Sequence, residues 1–239
     1  MRSRFDAVLF DAGGVLVLPD PTVIAPLLNF YGADPTVAAH RRAHYAAMAA
    51  KSKAGSSEAE WLVYDETYVA SVGVRDADLA EAADVLNRTR TPDLWRWPIP
   101  ETLAALQRLA GAGVPMGVVS NASGQVEGSL NRSVCQVGAG AFTAMRCIVD
   151  SQVVGVEKPD ARIFEFALPH FAEFVPKRIA YVGDSVAMDI VSSRAAGLHS
   201  ILIDPYNDHD GADFERVSSV EVLADELAGV DQHLPLTST

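Results

Sequence analysis

The chain has 239 residues, 49% of them hydrophobic, enough to bury a full core as one large domain or as a core carrying an insertion. Lys and Arg total 19 against 31 Asp and Glu, a net charge of −12, so the basic footprint needed for nucleic acid or an anionic membrane is missing and any anionic ligand requires a local positive site. No run reaches the ~18 apolar residues of a membrane-spanning helix. The apolar run behind Arg2 and Arg4 breaks at Asp11, too early for a signal peptide. Cys135 and Cys147 lack metal-like pairing and fit unpaired thiols in a reducing cytoplasm.

Ala7 to Phe10 predicts a strand buried on both faces, hence a parallel sheet. Asp11 stands at its carboxyl end, before Gly13-Gly14, where the backbone can approach a bound group. It is a candidate nucleophile or metal ligand, although Asp before Gly is also ordinary turn chemistry. Pro19-Asp20-Pro21 breaks the strand after Leu18. Four Ala-, Leu- and Glu-rich segments with apolar residues at helical spacing follow, at 22–31, 35–51, 57–71 and 76–89. Helices inserted directly after a buried strand predict a small bundle over its carboxyl end. Pro92, Pro98 and Pro100 mark the return. Strands and helices then alternate: helix 101–110, strand 115–119, helix 124–132, strand 147–150, helix 160–168, strand 179–182, helix 186–196, strand 200–203 and helix 219–227, before a polar tail at Thr237-Ser238-Thr239.

Three strands therefore end in polar residues suited to phosphate chemistry: Asp11, then Ser120-Asn121, then Gly183-Asp184-Ser185 with Asp189 behind it. Lys158 lies between the last two, on a loop opening a helix. A phosphate bound with Mg²⁺ needs a nucleophile, hydroxyl and amide donors, a cation and hard oxygen ligands. Singly each residue also reads as a cap, a solvated side chain or a charge near a helix start. Their order along the chain is the stronger signal.

In these residues the sequence resembles the haloacid dehalogenase-like hydrolase superfamily, whose four motifs span nearly the whole chain. Asp11-Ala12-Gly13-Gly14-Val15 matches the first and Val118-Val119-Ser120-Asn121 the second. Lys158-Pro159-Asp160 matches the third and Val182-Gly183-Asp184-Ser185 to Asp189 the fourth. The resemblance implies an α/β fold, with a Rossmann-like parallel-sheet core at 1–18 and 97–239 and an all-helical cap of the first type at 19–96. It implies Asp11 as nucleophile forming an aspartyl-phosphate, Lys158 as the neutralising catalytic cation, and Ser120 and Asn121 at the substrate. Mg²⁺ would be gathered by Asp11, the Gly13 carbonyl, Asp184 and Asp189, directly or through water. The partner is then a phosphorylated small molecule, with no nucleic acid and no membrane.

Gly13 breaks the pattern, because family phosphatases carry a second Asp there as general acid and base, a role typically worth ~10²–10⁴-fold. The loss hurts least with leaving groups that need no proton. Two other readings stay open: a metal-independent dehalogenase or other C–X hydrolase, and a non-catalytic phosphate or protein binder. For the first, Asp184 and Asp189 would be uncompensated charges beside the nucleophile. A phosphonoacetaldehyde hydrolase would need a Schiff-base lysine from the cap, where Lys51 and Lys53 read as solvated surface groups. His40 and His44 read as a polar face, with Arg41 and Arg42 beside them open to an anionic substrate. Trp95 and Trp97 read as hinge packing, and Asp208-His209-Asp210 as a solvated turn. Gly138-Ala139-Gly140 lacks the following helix of a dinucleotide site.

Overall fold

A computed structural model describes residues 4–228; the polar tail at 237–239 lies outside them. The first strand, β1 (Ala7–Phe10), is buried along its length. The chain leaves it through β2 (Val17–Pro19) and enters four helices, α1 (Pro21–Asn29), α2 (Val37–Lys53), α3 (Leu62–Ser71) and α4 (Leu79–Thr89). Local chemistry sets their starts. The Asp20 side chain caps the Thr22 amide with Pro21 at the first helical position, and Thr36 caps Ala39. The chain returns through β3 (Trp95–Pro98), α5 (Pro100–Gly111), β4 (Met116–Ser120), α6 (Val126–Leu130), β5 (Cys135–Val137), β6 (Thr143–Met145), β7 (Ile148–Asp150), α7 (Ser151–Val154), β8 (Ile179–Gly183), α8 (Val191–Ala195), β9 (His199–Ile203), β10 (Glu215–Val217) and α9 (Val220–Leu227).

Six strands form one parallel sheet in the order β10-β9-β8-β1-β4-β7. This is the expected α/β, Rossmann-like arrangement. The two-residue period of each strand divides the core. Val8, Phe10, Val118, Val182 and Ile201 pack on one face with residues of α5 and α9, while Leu9, Val119 and Tyr181 pack on the other with Ile163, Phe164 and Phe171. The helical insertion has its own apolar core of Ile24, Leu28, Tyr64, Tyr68, Val69 and Leu86. The sheet places β1 between β4 and β8, so the carboxyl ends of these strands open into one crevice, the usual ligand position in such folds.

Several elements differ from expectation. The chain crossings at both ends of the insertion form an antiparallel ribbon, with Val17 opposite Pro98 and Leu18 opposite Trp97. The expected boundaries at 18/19 and 96/97 thus fall inside paired strands. Segment 160–168 is not an α-helix but two 3₁₀ turns, 161–166 and Leu168–Phe171. Pro169, in the second, lacks the N–H that an extending helix needs. Helix 186–196 begins with a π turn over 186–190, where the Asp189 carboxylate turns back onto the Asp184 and Ser185 amides. The free-thiol expectation holds: Cys135 and Cys147 are buried and unpaired, and burial pushes their thiols up to about 12 and about 11.

Candidate active site

Asp11 follows β1 directly, its amide held by the Val182 carbonyl at 2.8 Å. Lys158 Nζ, almost fully buried, lies 3.2 Å from Asp11 Oδ2 and 2.6 Å from Asp189 Oδ1. Tyr181 Oη sits 2.9 Å from both Lys158 Nζ and Asp189 Oδ1. The other Asp189 oxygen accepts from the Asp184 and Ser185 amides at 3.1 and 2.9 Å. Both Asp189 oxygens are therefore engaged in holding Lys158 and the β8 loop. Asn121 is similarly occupied: its Nδ2 donates to the Lys158 carbonyl at 2.9 Å and its Oδ1 accepts from the Lys158 amide at 2.8 Å. Ser120 ends β4 with its hydroxyl beside Asp11.

Carboxylate oxygens of Asp11, Asp184 and Asp189 lie within 4.8 Å of one another. Three carboxylates face one ammonium, so the set carries excess negative charge, and its hard oxygen donors suit a divalent cation such as Mg²⁺. Burial, together with the Asp189 and Asp184 charges, outweighs the pull of Lys158 and pushes the Asp11 carboxyl up to about 7. Burial alone would pull the Lys158 ammonium down, but the Asp11 and Asp189 carboxylates hold it above its ordinary value. Gly14, at φ 66°, permits the close approach behind this cluster, since a Cβ there would lie 1.9 Å from Asp184 Oδ2.

The helical insertion forms the other wall of a cavity of about 400 Å³. His44 is no solvated face: it is 1% exposed, with Nε2 3.0 Å from Asp184 Oδ2 and Nδ1 2.9 Å from Tyr64 Oη. Both ring nitrogens thus face a hydrogen-bonding partner, one on the core and one on α3. His40 is likewise buried, against Tyr68. Tyr45 Oη donates to the Gly14 carbonyl at 2.7 Å. Arg41 and Arg42 pair with Glu101 and Asp208, so Asp208 is tied to α2 while Asp210 of the same turn stays exposed. Lys51, expected at the surface, is 4% exposed and lines the cavity. Trp95 covers Gly13, where a Cβ would lie 3.2 Å from its Cδ1. The indole thus occupies the space beside the position that lacks the second carboxylate.

A family model for haloacid dehalogenase-like hydrolases matches residues 5–197. The chain belongs to the haloacid dehalogenase-like hydrolase family. Its relatives include haloacid dehalogenase-like hydrolase domain-containing protein 3 of Bos taurus, 32% identical over 145 residues, covering 60% of this chain and 55% of that protein. Phosphoserine phosphatase of Thermus thermophilus is 30% identical over 110 residues, covering 46% of this chain and 42% of that one. The chain therefore spans about half the length of the curated relatives it matches. Among solved structures, a HAD phosphatase from Thermococcus onnurineus aligns with TM-score 0.56 at 20% identity, over 94% of this chain and 98% of that one. A dehalogenase captured with an intermediate aligns with TM-score 0.57 at 17% identity, over 95% and 99%. Phosphatases and dehalogenases share this fold, so the likeness does not choose between them.

All seven residues expected at the hydrolase site line the cavity of this family member: Asp11, Gly13, Ser120, Asn121, Lys158, Asp184 and Asp189. His44, Lys51 and Trp95 line it too. For His44 the available signal was its four-residue spacing from His40, which places both on one helix face. That face meets Tyr64 and Tyr68, also four apart, on α3.

Proposed function

We propose that the protein is a Mg²⁺-dependent phosphohydrolase of small molecules, with its chemistry in a core at 1–18 and 97–239 and a helical cap at 19–96. The observation that carries this reading is the Asp11 carboxylate at the end of β1, 3.2 Å from a buried lysine and inside a three-carboxylate cluster. A dehalogenase needs a nucleophile but no such concentration of negative charge. Asp11, Asp184 and the Gly13 carbonyl would hold the ion, which supplies charge neutralisation at the transferring phosphoryl group when bound. Asp189 would act by fixing Lys158 and the loop, because its own oxygens are already engaged.

Asp11 would attack phosphorus in line and become an aspartyl-phosphate, with the leaving oxygen departing on the opposite side. Lys158 would balance charge on the nucleophile and on the transferring oxygens. Ser120 would donate to a phosphoryl oxygen, and Asn121 would keep the Lys158 loop in register. His44, Tyr45 and the ribbon at the crossings would seat the cap on the core and limit bulk water around the intermediate, until one water attacks its phosphorus, breaking the acyl–phosphate bond and releasing Asp11 and inorganic phosphate. With no side-chain acid at residue 13, aryl and acyl phosphates should react ahead of alkyl phosphates. The two buried, unpaired cysteines and the absence of a described helix long and apolar enough to cross a membrane fit action in the cytoplasm. Phosphate release from aryl, acyl and alkyl phosphates, with Mg²⁺ and with EDTA, tests the reading. Turnover of 2-haloacids unaffected by EDTA would overturn it.

One observation favours a second reading, a C–X hydrolase using a cap amine. Lys51 lines the cavity, and burial lowers its pKa below the ordinary lysine value, partly offset by Glu58. An amine that gives up its proton readily condenses with an aldehyde, releasing water. Borohydride trapping of an aldehyde substrate on Lys51 would select this reading.

A further inference from the structure

The cavity holds more than a phosphoryl group. Its volume of about 400 Å³ lies within the small-molecule range of roughly 300–1,000 Å³. Asp11, Ser120 and Lys158 account for its core side. On the cap side Lys51 and Arg90 flank one indole: Lys51 Nζ is 3.6 Å and Arg90 Cζ 4.4 Å from the Trp61 ring centroid. The two cations differ in how they are balanced. Arg90 is paired with the buried Asp65 carboxylate, which also accepts from Asn87. Lys51 donates to the Glu58 carbonyl at 3.0 Å, and no carboxylate of the described residues lies within 4.0 Å of its ammonium. A nearly buried ammonium with one carbonyl and one ring face as partners has donors to spare. Burying a charge is costly unless it is paired, and the Glu58, Asp184 and Glu60 carboxylates act on Lys51 only from beyond 4.0 Å, so an anion entering the cavity would be its first direct charged contact.

Resting on the phosphohydrolase reading, we propose that Lys51, seated on Trp61 beside Arg90, binds a carboxylate carried by the substrate a few bonds from its phosphoryl group. The substrate class is then the phosphorylated small carboxylic acids. Glu58 is the competing charge: it lines the cavity, its carboxylate acts on Lys51, and its Oε2, 3.4 Å from Asn121 Nδ2, would have to give way to the incoming carboxylate. Lys51 acts as a specificity residue that touches substrate, remote from the bond that breaks.

The test compares O-phosphoglycolate with its uncharged carboxamide, using wild type, Lys51→Met and Lys51→Arg. Calorimetric binding of the non-hydrolysable phosphonate isostere 3-phosphonopropionate and its carboxamide to each enzyme with Mg²⁺ accompanies steady-state kinetics. A charge-assisted hydrogen bond lost from a buried site corresponds to about 10–100-fold, so wild type should prefer the acid over the amide by that factor. Lys51→Met should erase the preference while leaving inorganic phosphate affinity unchanged, and Lys51→Arg should keep most of it. Equal handling of acid and amide by wild type would overturn the proposal, as would Lys51→Met weakening both equally. If no phosphate ester turns over yet the acid still binds in a Lys51-dependent way, the phosphohydrolase reading fails and the carboxylate site stands. Retention in Lys51→Arg also separates anion binding from imine formation, which arginine cannot perform.

Discussion

Replacing Gly13 by Asp tests whether the absence of an acid at this position sets the leaving-group preference proposed above. The residue is not among the positive-φ glycines, so its backbone accepts a side chain; the obstacle is steric. A Cβ would lie 3.2 Å from Trp95 Cδ1 and 3.3 Å from Nε1, inside the ordinary contact range of about 3.5–4.0 Å. A methyl group asks the indole to yield a few tenths of an ångström. A carboxylate must displace it. Gly13→Asp alone should therefore fold and gain little alkyl-phosphate turnover, whereas Gly13→Asp with Trp95→Ala should regain it. The full effect of a general acid is ~10²–10⁴-fold, about 2.7–5.4 kcal/mol of barrier, and it applies only where the leaving alkoxide needs a proton. The assay is the ratio of alkyl to aryl phosphate kcat/KM, in which losses of folded enzyme cancel. Trp95→Ala and Gly13→Asn with Trp95→Ala serve as controls for space and for a non-acidic isostere. The reasoning is refuted if wild type hydrolyses alkyl and aryl phosphates equally when chemistry limits the rate, or if the Asn double variant matches the Asp one.

Asp184→Asn should abolish Mg²⁺ binding by calorimetry; unchanged affinity would move the metal site elsewhere. Asp11 has its carboxyl raised from 3.8 to about 7, so the folded state favours the protonated form, and this group's stabilisation is full below about pH 4 and lost as pH rises through 7. Asp11→Asn should therefore raise the metal-free Tm at pH 8 and converge with wild type near pH 4. A Tm difference independent of pH would count against it. His44→Ala should cost about 2–4 kcal/mol, because it leaves Tyr64 and Asp184 without a buried partner, and should lower hydrogen-exchange protection in α2. A change within 0.5 kcal/mol is what an exposed histidine would give.

Asp11, Ser120 and Asp184 were legible because each sits at or just past the end of a short apolar run, and a parallel sheet brings such ends together whatever lies between them. The run from Ala7 to Phe10 placed Asp11, and the strands before Ser120 and Asp184 placed their residues by the same rule. Glycine punctuation and apolar spacing likewise located the four helices of the insertion to within five residues. What pairs across distance was not legible. The β2–β3 ribbon joins short segments nearly eighty residues apart, and nothing local marks Leu18 as the partner of Trp97. Helix 160–168 gave way to 3₁₀ turns, and its apolar spacing did not reveal that difference.

Residues of the helical insertion illustrate the same limit at the cavity. His44 and Lys51 lie on a helix whose polar and apolar positions give no clean stripe, so sequence spacing could not say which side faces the core. Docking α2 over the crevice decided it, burying His44 against Asp184 and Lys51 against Trp61. Chemistry written along strand ends is local and survives translation into one dimension. The side chains that line the cavity from the helical insertion come from a separately packed layer, and only the tertiary structure determines which of them face Asp11.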